Sequence, residues 1–141
     1  MNTTQIPTIL HVEDESNDRL LVQIAFRKAG LPVNFQVAED GDKAIDYLNG
    51  SGVYSDRASY PLPNLILLDL RLPRKSGLEF LCWMQSRPGL KQVPVVTLSS
   101  SEQPDDRDQA CARGAHDYFC KPVAIGRLQQ VVTEIYSKWL A

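Results

Sequence analysis

The reading of this chain turns on the stretch Asn64-Leu65-Ile66-Leu67-Leu68-Asp69. Four large aliphatic residues follow one another without a polar interruption, so both faces of the segment need apolar cover, as in a central strand of a parallel sheet. A carboxylate follows them directly. On either side, short apolar runs alternate with longer segments of helical period, the pattern of an α/β domain. Upstream, Pro7 to Val12 reads as a buried strand and Glu15 to Ala29 as a helix. That helix has Leu20, Leu21, Ile24 and Ala25 on one face and Gly30 as its stop signal. Val33 to Ala38 and Gly41 to Leu48 form the second pair. Downstream, Gly77 to Ser86 reads as the return helix, Val93 to Ser99 as a strand, Pro104 to Arg113 as a polar helix and His116 to Cys120 as a short last strand.

Ala124 to Leu140 closes the pattern, with Ile125, Leu128, Val132, Ile135 and Trp139 at the spacing of an amphipathic helix. That helix is needed to cover the sheet, so residues 1–141 are expected to form one domain with no output domain. Gly50 to Pro63, with two Gly, three Ser and two Pro, is a surface loop, because hydrophobic structure continues on both sides of it.

Composition narrows the function classes. The 141 residues carry 15 Lys+Arg against 17 Asp+Glu, a net charge of −2, which provides no basic field for nucleic acid or a membrane surface. The longest apolar run, Phe80 to Met84, has five residues, whereas a membrane span needs about 20. Cys82, Cys111 and Cys120 form no CxxC pair and have no His at ligand spacing; they read as reduced packing residues of a cytoplasmic protein.

In an open parallel sheet, ligands bind beyond the carboxyl ends of the strands. Those ends carry Glu13-Asp14, Asp69, Ser99-Ser100 and Lys121-Pro122. Singly, each has an ordinary explanation as a helix cap, a strand end or a surface charge. Together they bring three carboxylates to one edge, an arrangement that repels itself unless a cation neutralises it. Hard oxygen ligands without His or Cys suit Mg²⁺. A cation beside a carboxylate, with a hydroxyl and an ammonium opposite, is the equipment for phosphoryl transfer to or from that carboxylate. Asp69 is then the natural nucleophile, Asp14 a metal ligand, and Lys121 and Ser99 the groups that meet phosphoryl oxygens.

Glu13-Asp14 after the first strand, Asp69 in LLDLRLPRKSGLE, Ser99 after PVVTL and Lys121-Pro122 in GAHDYFCKPV together resemble the response-regulator receiver domain of two-component signalling. The resemblance covers essentially the whole chain. It implies a flavodoxin-like, five-stranded parallel sheet in the order 2-1-3-4-5. It also implies that Asp69 accepts a phosphoryl group from the phosphohistidine of a sensor histidine kinase. Mg²⁺ would be held by Asp14, Asp69 and the backbone carbonyl of Arg71, with Glu13 acting chiefly through a coordinated water. Lys121 and Ser99 would contact the phosphoryl oxygens, Tyr118 would be the switch aromatic, and the Lys121–Pro122 bond would be cis.

Two positions depart from the commoner pattern: Glu13 stands where Asp is more usual, and Arg71 where a smaller polar residue is common. Kinase docking is expected on Asn17, Asp18 and Leu21 and on the loop beginning at Pro122. The long loop before the third strand and the LPRKSG segment resemble single-domain regulators that accompany bacterial phytochromes. Such a protein acts by binding a partner rather than by turnover, as a phosphorylation-controlled module or as a phosphate shuttle or sink. A second copy of the chain is a candidate partner, through aromatic surface at Tyr118 and Tyr136 to Trp139. An aspartyl phosphatase would want a second Asp two residues after the nucleophile, where Arg71 stands, and no GxGxxG follows the first strand for a dinucleotide.

Overall fold

The computed structural model describes residues 6–72, 76–99, 104–121 and 124–141. Five parallel strands, β1 (Thr8–Val12), β2 (Asn34–Ala38), β3 (Leu65–Leu68), β4 (Val95–Ser99) and β5 (Asp117–Cys120), pair in the order β2-β1-β3-β4-β5. The helices between and after them are α1 (Ser16–Lys28), α2 (Gly41–Asn49), α3 (Gly77–Gln85), α4 (Pro104–Ala112) and α5 (Ile125–Trp139). This is the flavodoxin-like order expected from the resemblance, and each element lies within one or two residues of its expected bounds.

The unbroken apolar run of β3 has a direct structural cause. Successive strand residues point to opposite faces, so Ile66 and Leu68 enter a core with Leu10, Val12, Tyr47 and Phe80, beneath α2, α3 and α4. Leu65 and Leu67 enter the other core with Val22, Phe26, Leu128 and Ile135, beneath α1 and α5. All four are fully buried, each contributing about 1.5–3 kcal/mol of apolar transfer free energy.

Three expectations are corrected. In α1 the buried residues are Val22, Ala25 and Phe26, while Leu20 and Leu21 are 52% and 44% exposed. Two stripes of this helix share the three-and-four spacing, and packing against α5 selects the one containing Phe26. Cys82, Cys111 and Cys120 are all exposed rather than packed, because each lies on the outer side of its helix or edge strand. Tyr118 is only 4% exposed and belongs to the core under α4, so it offers no aromatic surface to a second copy. Trp139 is half-buried against His116, its ring edge-on at 5.5 Å.

The surface loop is well organised. Gly52–Ser55 make a turn of 3-10 helix, and Arg57 donates to the Tyr47, Leu48 and Tyr60 carbonyls at 2.8, 2.9 and 3.1 Å, tying the loop to the end of α2, which the left-handed Gly50 caps. Tyr47, Tyr54 and Tyr60 pack ring against ring beside it. Among the described residues, no helix is long and apolar enough to cross a membrane.

Candidate functional site

The chain leaves β1 toward β2 on one side, and β3 returns to pair on the other, so β1 and β3 flank the point where the strand order reverses. Their register places Val12 opposite Leu68, which sets the next residues, Glu13 and Asp69, side by side. The Asp69 backbone N–H donates to the Val12 carbonyl at 3.1 Å, fixing that adjacency. Carboxylate oxygens of Glu13, Asp14 and Asp69 all lie within 4.8 Å of one another. Glu13 and Asp69 are buried, whereas Asp14 is exposed.

Lys121 enters this cluster from the end of β5, anchored by its backbone N–H to the Ser99 carbonyl at 2.7 Å. Its ammonium donates to Glu13 Oε1 at 2.6 Å, Asp18 Oδ2 at 2.8 Å and Asp69 Oδ2 at 3.0 Å. The second oxygen of Asp69 accepts from the Arg71 N–H at 3.0 Å, and that of Glu13 from the Glu15 N–H at 3.2 Å. Arg19 reaches the Glu13 carbonyl at 2.8 Å. The Arg71 guanidinium turns away, toward Asp106 of α4 at 3.6 Å. Ser99 is fully buried at the end of β4. Pro122, with the Lys121–Pro122 bond, and Ser100 lie outside the described residues.

Burial pushes the Glu13 carboxyl up to about 7, opposed by its hydrogen bond to Lys121 and reinforced by the charge of Asp69. Burial alone would lower the Lys121 ammonium, but its bonds to Asp18, Glu13 and Asp69 prevail and hold it above its ordinary value. Three carboxylates, Glu13, Asp18 and Asp69, thus surround one cation, and Glu13, Asp14 and Asp69 offer oxygens close enough to share a hard divalent ion. The donor set fits such an ion.

His11, two residues before Glu13 on β1, is fully buried with Nδ1 unpartnered among the described residues; burial and then the charges of Lys121 and Arg19 lower its pKa to about 3. The two groups set opposite pH slopes. Glu13, raised from 4.5, keeps a proton in the fold that the unfolded chain has lost, so stability falls as pH rises from about 4.5 to 7. His11, lowered from 6.5, is neutral in the fold where the unfolded chain is charged, so stability rises from about pH 3 to 6.5. Their contributions oppose between about pH 4.5 and 6.5. In metal-free protein, Glu13→Gln should make the urea midpoint climb with pH across that window more steeply than in wild type. Parallel profiles would show that Glu13 titrates normally.

The structure therefore brings together Glu13, Asp14, Asp69, Ser99 and Lys121, all from strand ends. Asp18, expected at a docking surface, also binds Lys121; its place four residues after Asp14 was the available signal. Tyr118 sits behind the site with the Arg107 guanidinium 5.4 Å over its ring, and Arg107 also donates to its carbonyl at 3.3 Å. Sequence reading missed Arg107 because nothing local marks it.

Comparison with known proteins agrees with this geometry. Residues 9–133 match the model of the response regulator receiver domain. The chain is 36% identical to the response regulator Rcp1 of Synechocystis over 94% of its length and 88% of that protein's. It is 34% identical to the probable methanogenesis regulatory protein FilR2 of Methanothrix harundinacea, over 94% and 83%. The phosphorylated cyanobacterial phytochrome response regulator RcpA superposes with a TM-score of 0.87 at 36% identity, over 97% of this chain and 96% of that one. Rcp1 has also been solved in a Mn²⁺-bound form, with a TM-score of 0.83 at 36% identity, over 95% of this chain and 94% of that one.

The chain belongs to the response-regulator receiver-domain family of two-component signalling. Within that family it is homologous to the response regulator Rcp1 and to the cyanobacterial phytochrome response regulator RcpA. The family implies phosphorylation on an aspartate and a histidine kinase as partner.

Proposed function

We propose that Asp69 is the phosphoacceptor and that a bacteriophytochrome-type sensor kinase in the cytoplasm is the donor. The observation that carries this is the convergence of Lys121 on the buried carboxylates of Glu13 and Asp69, with Asp14 beside them. In the transfer, an Asp69 carboxylate oxygen bonds to phosphorus while the P–N bond of the kinase phosphohistidine breaks, its electron pair remaining on the imidazole nitrogen. Lys121 follows the phosphoryl oxygen that replaces its Asp69 partner, and the Ser99 hydroxyl takes another. Mg²⁺, held by Asp14, Asp69 and the Arg71 carbonyl with Glu13 acting through water, would neutralise charge on the phosphoryl group.

The product carries more negative charge and more acceptor oxygens than the free carboxylate, and drawing Ser99 toward it alters what lies between β4 and Tyr118. Tyr118, held beneath Arg107, then shifts its population, and the face of α4, β5 and α5 changes for a protein partner. The reading is that of a signalling module rather than a turnover enzyme. Exposed Asn17 and Leu21 on α1, at the rim of the site, suit kinase docking. Pro122 completes that surface in the sequence reading.

The test is labelling with acetyl phosphate in the presence and absence of Mg²⁺, beside Asp69→Asn. Label that needs both Mg²⁺ and Asp69, and that hydroxylamine removes as it does an acyl phosphate, is the expected result. Label retained by Asp69→Asn would move the acceptor elsewhere.

A further inference from the structure

We propose that Asp18 is a positioning residue for Lys121, holding the ammonium so that one of its protons points at the phosphoacceptor oxygen. This rests on the phosphoacceptor reading of Asp69 and extends it to a residue outside the carboxylate cluster that fits a metal. A lysine ammonium has three protons on a flexible four-carbon stem, and nothing in that stem selects a direction. Here Asp18 of α1 and Glu13 at the end of β1 take one proton each at 2.8 and 2.6 Å, and the third goes to Asp69 at 3.0 Å. With two donors anchored from different elements, the third is aimed. When phosphorus bonds to Asp69 and the donor's leaving group departs with its electron pair, that third proton transfers its hydrogen bond to a phosphoryl oxygen without a search by the side chain.

A second observation shows why the anchor is needed. A cavity of about 40 Å³ adjoins the Lys121 stem, lined by Asp18, Leu21, Val22, Leu98 and Leu128. It gives the stem room to relax away from Asp69 once Asp18 no longer holds it. Asp18 is also linked to Lys121 across 103 residues of sequence, from a helix rather than a strand end, so the contact depends on how α1 seats on the sheet.

The experiment uses the purified chain with Mg²⁺ and acetyl phosphate and no kinase, so docking does not enter. Asp18→Ala should slow labelling about three- to tenfold, the size expected for losing one charge-assisted hydrogen bond at a half-exposed site. Asp18→Asn, whose amide oxygen still accepts from the ammonium, should lie between wild type and Asp18→Ala. In a Lys121→Ala background, Asp18→Ala should add no further slowing, since the two act as one unit. A labelling rate unchanged or raised in Asp18→Ala overturns the proposal, as does a slowing that persists without Lys121. Asp18→Ala that slows transfer only from a kinase would make Asp18 a docking residue. Wild-type protein that takes no label on Asp69 would remove the phosphoacceptor reading itself, an outcome separate from any difference among the Asp18 variants.

Discussion

Lys121→Ala is expected to slow labelling of Asp69 by about two orders of magnitude, the usual consequence of removing a preorganised donor to a transferring group. The same change should destabilise the metal-free protein by about 3 kcal/mol at pH 8, because it leaves the buried carboxylates of Glu13 and Asp69 without their cation. The loss should shrink toward pH 5. Glu13 already has its pKa pushed up to about 7, and without Lys121 it rises further; protonation then removes one of the two stranded charges. The sign follows from proton binding: the folded variant holds a proton that the unfolded chain releases above about 4.5, so each step up in pH favours unfolding. Urea unfolding at pH 5, 6, 7 and 8 would measure this. A pH-independent difference from wild type would show that Lys121 contributes only packing. Saturating Mg²⁺ should recover part of the stability and little of the labelling rate, since charge neutralisation is replaceable and the aimed donor is not.

Gly77→Ala is expected to have the opposite sign from the same substitution in most helices. At an ordinary helix position, Ala is favoured over Gly by up to about 1 kcal/mol. Gly77 opens α3, where Ser76 and Glu79 form a reciprocal cap, and nothing in that cap requires glycine. The requirement comes from across the loop: a Cβ on Gly77 would stand 2.6 Å from the Leu70 Cα and 2.7 Å from the Asp69 carbonyl oxygen. Both are backbone atoms, so no rotamer change relieves the clash, and α3 must move away from the end of β3. A cost of about 2–3 kcal/mol follows, or roughly a 10 °C fall in Tm. Because the displaced atoms belong to Asp69, the proposed phosphoacceptor, and to Leu70, labelling should drop about tenfold as well. An Ala variant as stable as wild type would mean that α3 and the segment after β3 are less tightly seated than the contact implies.

Much of this site was legible before the fold was known. Asp69 stands out because it follows an apolar run that demands cover on both faces, and Glu13, Ser99 and Lys121 stand at the ends of other runs with similar patterning. The reading failed where two local patterns were equally good. Leu20 and Leu21 share a helical spacing with Ile24 and Ala25, and so do Val22, Ala25 and Phe26; only contact with α5 chooses between them. It failed again for the cysteines, whose average preference for burial says nothing about which side of a helix faces out. Tyr118 was noticed by its place before Lys121, yet its burial beneath Arg107 joins residues of two elements that no short-range pattern connects.

The sequence by itself determined the alternation of strands and helices, the apolar centre of the sheet and the chemical types at the strand ends, because hydrophobic period and residue chemistry are properties of neighbours along the chain. Tertiary structure alone decided that Asp18 shares Lys121 with Glu13 and Asp69, and that Gly77 is pressed against the backbone of Asp69 and Leu70. Those facts depend on distances between segments that are remote in sequence or separated by a loop, and such distances are set only when two cores are filled on opposite faces of one sheet.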